Sequence, residues 1–274
     1  MEPDLSGNFN IRNIGDVLAG KDMVQELHRH DFFFILALKK GKGNHEIDFT
    51  PYEVHDHSVF LMHPGQVHQL TLKKGSVGYL MEFNADFYYP LDKASKQFLR
   101  RAGYKNDCQM KPDGFNKLFS ILTCIFQEYA DKREEYLEAI KANLKMFFIE
   151  VVRQRQHRQE VSSNDNRYEH ERLEEFLELL EKHIPRHKQV SDYAGMLKIS
   201  SYQLNAITKT ITGKACSELI KEHVILESKR HLLATLHPVK EIAYHLGYED
   251  VSYFVRLFKK HTGYSPQAFR QRFK

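Results

Sequence analysis

Over the first hundred residues the apolar positions fall in short runs. Phe32-Phe-Phe-Ile-Leu-Ala-Leu38 is an unbroken run rich in strand formers. It is followed by Glu46-Ile-Asp-Phe49, Val59-Phe-Leu-Met62, Val67-His-Gln-Leu-Thr-Leu72 and Val77-Gly-Tyr-Leu-Met-Glu-Phe83. Gly41-Lys-Gly43, Pro64-Gly65 and Lys73-Lys-Gly75 punctuate these runs as turns. Five or more short strands with no helix between them predict an antiparallel sandwich or barrel.

From Asp113 the period becomes helical. Phe115, Leu118, Phe119, Leu122 and Phe126 recur at three and four residues, and after the polar break Asp131–Glu135 so do Leu137, Ile140, Leu144, Phe148 and Val151. The second set has a heptad-like spacing that fits either a stripe facing the core or a seam with a second copy of the chain. We expect a homodimer through helices at about 113–153. Arg153–Arg167 then holds Val161 as its sole aliphatic residue, which reads as a frayed helix end running into a linker. The remainder is helical, so the fold class is α+β. A barrel spans about 1–110 and helices about 113–153, a linker covers 156–167, and an all-α domain fills 168–274.

That last domain contains itself twice. Ala194, Leu197, Leu204, Ile207, Lys209, Thr212 and Gly213 are matched by Ala243, Leu246, Phe254, Leu257, Lys259, Thr262 and Gly263. The offset is 49 residues before an internal turn and 50 after it. Each unit reads as a short helix, a turn and a longer helix that starts at Ser200 or Asp250 and stops at Gly213 or Gly263.

Composition narrows the function. With 42% hydrophobic and 28% charged residues, the chain has enough apolar content for a core and no run long enough for a bilayer span. Met1-Glu-Pro-Asp-Leu5 is acidic where an export signal would be basic, so we expect no export and a cytoplasmic protein. Three scattered cysteines indicate reduced thiols and neither a disulfide frame nor a zinc cluster. Residues 186–274 carry 15 Lys and Arg against 7 Asp and Glu, while residues 1–185 carry 25 against 29. A basic end on an acidic body suits double-stranded DNA as a partner.

In a helix–turn–helix bound to DNA the second helix lies in the major groove and keeps a polar outer face. Here the outer positions are Ser201, Tyr202, Asn205 and Lys209 in the first unit, and Ser252, Tyr253, Val255, Arg256 and Lys259 in the second. Asn and Arg pair with adenine and guanine edges. Lys209, Lys259, Lys260 and Arg270 suit phosphates.

The stretch Ile242-Ala-Tyr-His-Leu-Gly-Tyr-Glu-Asp-Val-Ser-Tyr-Phe-Val-Arg-Leu-Phe-Lys-Lys-His-Thr-Gly-Tyr-Ser-Pro-Gln-Ala-Phe-Arg270 resembles the AraC/XylS family of bacterial transcription regulators almost position for position. The first unit fits through Ala194, Leu197, Ile199, Ser200, Leu204, Thr212 and Gly213, and departs at Ala206-Ile207, where relatives often carry Arg followed by an aromatic. The resemblance implies base contacts from Tyr202, Asn205, Ala206, Ser252 and Arg256. Because Ala206 offers only a methyl group, more of the reading falls to the second helix. The family also implies an N-terminal domain that binds a small-molecule effector and dimerises, with RNA polymerase as a candidate partner.

In the N-terminal half, His28-Arg-His30 on a strand puts both imidazoles on one face with Phe32 and Phe34, and Pro64-Gly-Gln-Val-His68 adds a third. This looks like the cupin barrel, whose metal-binding members add a Glu. Three or four residues past His30 this chain has Phe34 or Ile35, so the set is one ligand short. We therefore expect His28, His30, Phe32, Phe34 and His68 to line an effector pocket, with no metal, no cofactor and no catalytic residue. Two other classes fit less well. One is a cupin-type metal-dependent enzyme with an accessory helical domain, which stoichiometric metal with turnover would reveal. The other is a non-specific nucleoid-type binder, which would show steep salt dependence and little sequence preference.

Overall fold

The computed structural model describes residues 8–88, 98–99, 101–103, 105–159 and 167–273. The acidic start and residues 160–166 of the expected linker lie outside them. The chain divides into two compact units, Met1–Ser162 and Ser163–Lys274.

In the first unit, strands β1 (Phe9–Asn13), β2 (Met23–Arg29), β3 (Phe33–Lys40), β4 (Gly43–Ile47), β5 (Thr50–Val54), β6 (Ser58–Met62), β7 (Val67–Leu72), β8 (Val77–Phe83) and β9 (Asp107–Gln109) form two antiparallel sheets. One has the order β1-β8-β3-β6-β9 and the other β2-β7-β4-β5. Among the described residues, hydrogen bonding does not join them into a closed ring. Short helices α1 (Ile14–Leu18) and α2 (Ala85–Tyr88) connect strands, and α3 (Pro112–Asp131) and α4 (Tyr136–Gln159) follow the sheets.

Strand β3 organises the unit. Alternate side chains point to opposite faces of a sheet, and here both faces are covered. Phe34, Leu36 and Leu38 pack with Ile47, Val54, Leu70 and Leu72 of the second sheet. Phe33, Ile35 and Ala37 pack with Phe115, Leu118, Leu122, Ile140, Leu144, Phe148 and Val151 of α3 and α4. The heptad-like stripe is therefore consumed inside one chain: Ile140, Leu144, Phe148 and Val151 are fully buried. Of the two readings that the spacing allowed, the core-facing stripe is the one observed. The expected frayed end is also helical further than its composition suggests, because Arg155 donates to the carbonyls of Arg101, Ala102, Lys105 and Asp107.

The second unit comprises α5 (Arg167–His183), α6 (Val190–Leu197), α7 (Ser201–Thr212), α8 (Cys216–Ala234), α9 (Val239–His245), α10 (Val251–Thr262) and α11 (Pro266–Phe273). Leu173, Phe176 and Leu180 of α5 close the core around Tyr193, Leu204, Ile207, Ile220 and Val224. Helix α8 packs against α5, α7, α9, α10 and α11, so it ties the two repeated helix pairs together.

The repeat is matched down to its turns. Ile199 N–H donates to the Ala194 carbonyl at 3.0 Å, and Tyr248 N–H to that of Ala243 at 2.9 Å. Lys198 takes the left-handed conformation in the first turn (φ 56°) and Gly247 in the second (φ 73°). Glu249 is the extra residue, since the next equivalent pair is Ser200 and Asp250. A Cβ on Gly247 would fall 1.9 Å from the Pro185 carbonyl oxygen, whereas one on Gly195, inside α6, meets nothing within 4 Å. Gly247→Ala is expected to lower the unfolding midpoint of the second unit, through both the clash and about 1 kcal/mol of backbone strain. Gly195→Ala is expected to raise the midpoint, through a gain in stability of up to about 1 kcal/mol. Urea denaturation of the two variants checks the contrast.

Candidate nucleic-acid interface and ligand site

Helices α7 and α10 begin and end alike. Ser200 Oγ accepts from Gln203 N–H at 3.1 Å, and the Gln203 amide oxygen accepts from Ser200 N–H, a reciprocal cap. Asp250 Oδ1 accepts from Ser252 and Tyr253 N–H at 2.8 and 3.0 Å. At the far ends Gly213 and Gly263 are left-handed. Thr212 and Thr262 each donate to the carbonyl four residues back and accept from the N–H two residues on. Caps at both ends fix the length and the rotational setting of each helix.

The exposed positions repeat with the same offset. Tyr202, Gln203, Ala206, Lys209 and Thr210 are exposed on α7, and Ser252, Tyr253, Arg256, Lys259 and Lys260 on α10. Ser201 is half-buried, and Tyr202 is 84% exposed. Leu204 and Ile207, and likewise Phe254 and Phe258, face the core. Arg256 lies 3.8 Å from Asp250 with both groups well exposed, so its guanidinium is held loosely.

Val255 on α10 is half-buried, as Ser201 is, and two further residues differ from the expectation of an outward role. Asn205 is half-buried and uses both ends of its amide: Nδ2 donates to the Ser201 carbonyl, and Oδ1 accepts from Cys216 N–H at 3.1 Å. Ala215 precedes Cys216 and has no side-chain acceptor, so Asn205 satisfies an N–H that the start of α8 would otherwise leave open. Arg270 donates to the Leu232 and His237 carbonyls at 2.8 and 2.6 Å and so caps the C-terminal end of α8.

The five N-terminal residues singled out from sequence come together at one end of the sheet pair. His28 on β2 pairs with His68 on β7. His30 stacks on Phe32 with ring centroids 4.3 Å apart, and Phe34 lies 5.0 Å from His68. The three Nε2 atoms converge: His28 to His30 is 2.9 Å, His30 to His68 2.9 Å and His28 to His68 3.2 Å. His28 Nδ1 donates to the Glu26 carbonyl at 2.6 Å. A fourth ring, missed from sequence, stands behind them: His45 Nε2 lies 2.9 Å from His68 Nδ1, and both rings are fully buried. His28 and His30 are half-buried. A groove of about 280 Å³ lies elsewhere, between Tyr52, His55, Phe60 and Asp107, and none of the five residues lines it.

Burial makes His30, His45 and His68 poor bases. It pushes His30 down to about 4, with His28 adding to the effect and Asp31 opposing it. It pushes His45 down to about 3, helped by His28, and His68 down to about 2, helped by His45, His28 and His30. All three are neutral at pH 7.

Residues 20–139 match the family described as an AraC-like ligand binding domain, and residues 193–272 the one described as a helix-turn-helix domain. The transcriptional activator RhaR of Yersinia pestis is 22% identical over 258 residues, spanning 90% of this chain and 84% of that one. The chain belongs to the AraC/XylS family of transcriptional regulators. As an AraC-type regulator it pairs an N-terminal ligand-binding domain with a C-terminal helix–turn–helix DNA-binding domain. A further relative is an uncharacterised HTH-type regulator of Bacillus subtilis, YfiF, 22% identical over 90% of this chain and 79% of its own length. Among solved structures, ToxT of Vibrio cholerae is 16% identical, covering 97% of this chain and 99% of its own, with a TM-score of 0.45. No helix among the described residues of this AraC-type chain is long and apolar enough to cross a membrane.

Two measurements follow from this geometry. In the unfolded chain a histidine takes up its proton near 6.5, whereas His30, His45 and His68 resist protonation until far lower. The folded unit therefore keeps its full stability above pH 6.5 and loses it as pH falls toward 4 and below. Thermal unfolding followed against pH is expected to show this slope, and to show it reduced in His45→Gln. Asn205→Ala is expected to cost about 1 kcal/mol of stability by uncapping α8. Its ratio of affinities for preferred and scrambled duplexes should stay unchanged, as read by urea melts and DNA titration.

Proposed function

We propose that the protein is a cytoplasmic, homodimeric regulator without enzymatic activity that selects DNA sequence through α7 and α10. The observation that supports this most is the paired set of exposed side chains on two equally capped helices, Tyr202, Ala206 and Lys209 beside Ser252, Arg256 and Lys259. Two such helices on one rigid unit suit successive major-groove faces, about 34 Å apart along a duplex. Arg256 with Ser252 and Tyr253 carries most of the base reading, because Ala206 contributes only a methyl group. Ser201, Tyr202, Lys209 and Lys259 set the approach to the backbone, and the engaged amide of Asn205 reads no base in this conformation.

The N-terminal unit, residues 1–155, takes a small effector at the cluster of His28, His30, Phe32, Phe34 and His68. It dimerises through the outer faces of α3 and α4. An effector acts only by binding two arrangements of the dimer with unequal affinity, and the stretch 156–167 passes that difference to the DNA-binding unit. RNA polymerase is the partner on which the bound protein acts.

Titration of a selected duplex and its scrambled counterpart tests the assignment. Arg256→Ala should lose about 1–3 kcal/mol of discrimination at one base position. Lys259→Ala should weaken both duplexes alike and lower the salt slope by about one. Equal losses on the two duplexes for Arg256→Ala would remove it from the reading face.

A further inference from the structure

We propose that His28, His30 and His68 hold a divalent first-row transition-metal ion and that this ion is the ligand of the N-terminal domain. The ligand class rests on reading that domain as the sensing half, whereas the site itself rests on its geometry alone.

The three Nε2 atoms form a nearly equilateral triangle with edges of 2.9, 2.9 and 3.2 Å. Two imidazole nitrogens about 2.1 Å from one ion lie about 3.0 Å apart at right angles and about 3.4 Å apart at the tetrahedral angle. The observed edges match three neighbouring positions on one face of such an ion. Side chains that merely fill a wall have no reason to aim three like atoms at one point.

Hydrogen bonding among the rings does not satisfy that arrangement. The His28 Nδ1 contact with a carbonyl oxygen makes that nitrogen the donor, so the Nε2 of the neutral ring carries only a lone pair. Each Nε2 of a neutral ring carries either a proton or a lone pair, so whichever tautomers His30 and His68 adopt, at least one edge of the triangle pairs like with like. A cation satisfies all three lone pairs at once.

The outer contacts are those of ligating histidines. His28 is oriented by the Glu26 carbonyl, and His68 by His45, whose only described hydrogen-bond contact is with His68 and whose Nδ1 has none among the described residues. Stacked Phe32 and the nearby Phe34 wall one side, while half-buried His28 and His30 leave the other open. An all-imidazole set selects zinc, cobalt, nickel, copper or iron over magnesium or calcium. Three protein ligands leave coordination positions free, as in open zinc sites. Counted against a four-residue cupin set the sequence looks a ligand short; three imidazoles form a set of their own.

The full chain, stripped with a chelator, is titrated with cobalt(II) chloride while visible absorption and the thermal midpoint are recorded. One saturable equivalent and a rise in the midpoint are expected. Uptake should be lost in His28→Ala and in His30→Ala, each checked for folding by its metal-free circular dichroism, and weakened about 10–100-fold in His45→Gln. No saturable uptake, or uptake unchanged in both alanine variants, would overturn the site. Sequence-selective DNA binding is measured on the same samples. Selective binding without cobalt uptake rejects the site and leaves the regulator standing; cobalt uptake without selective binding supports the site and rejects the DNA reading.

Discussion

A strand with no face toward water constrains its surroundings more than any other element. Six consecutive residues of β3, Phe33 to Leu38, are buried, so one face requires a second sheet and the other requires helices. Burying each large apolar side chain is worth about 1.5–3 kcal/mol, which outweighs any other use of the apolar stripes on α3 and α4. The second sheet is held against β3 through Phe34, Leu36 and Leu38, and its end by β2 and β7 is where Phe34 meets the imidazoles. The histidine cluster thus has one apolar wall supplied by the core itself.

The DNA-binding unit meets a different constraint. Helices α7 and α10 are each set by contacts that are local in sequence: a cap at the start, a threonine and a left-handed glycine at the end. Local contacts are the kind that sequence displays. The repeat, its one-residue insertion and the exposure of Ser252, Tyr253, Arg256 and Lys259 on α10 were therefore legible. Asn205 was not. A helical wheel shows which side a residue lies on, but not that the N–H of Cys216, eleven residues later, lacks an acceptor.

In the N-terminal unit β3, β6, β7 and β8 were legible; of the edge strands only the end of β2 at His28 was, with His30 falling just past it. Strand β5 contains Pro51, which an edge strand tolerates because its N–H side need not pair. It is reached through a two-residue turn at Asp48-Phe49 with φ of 49° and 66°. Such turns usually carry Asn-Gly, so with Phe in the second position the stretch Glu46–Phe49 read as a strand. The true strand ends at Ile47 and begins at Gly43, and that shift is what concealed His45. The seam on α4 shows the complementary limit: periodicity identifies a buried face without saying what buries it. The triangle of Nε2 atoms lay further out of reach, because it depends on a bulge in β2 between Gln25 and His28 that brings His28 opposite His68.

The central claim is that two helices of one rigid unit read one duplex together. Selection of binding sites from a random duplex pool by the full chain measures this directly. The account predicts enriched sites with two preferred blocks centred about 10.5 base pairs apart, the stronger one assigned to α10. A single block, or no enrichment over the starting pool, would contradict it.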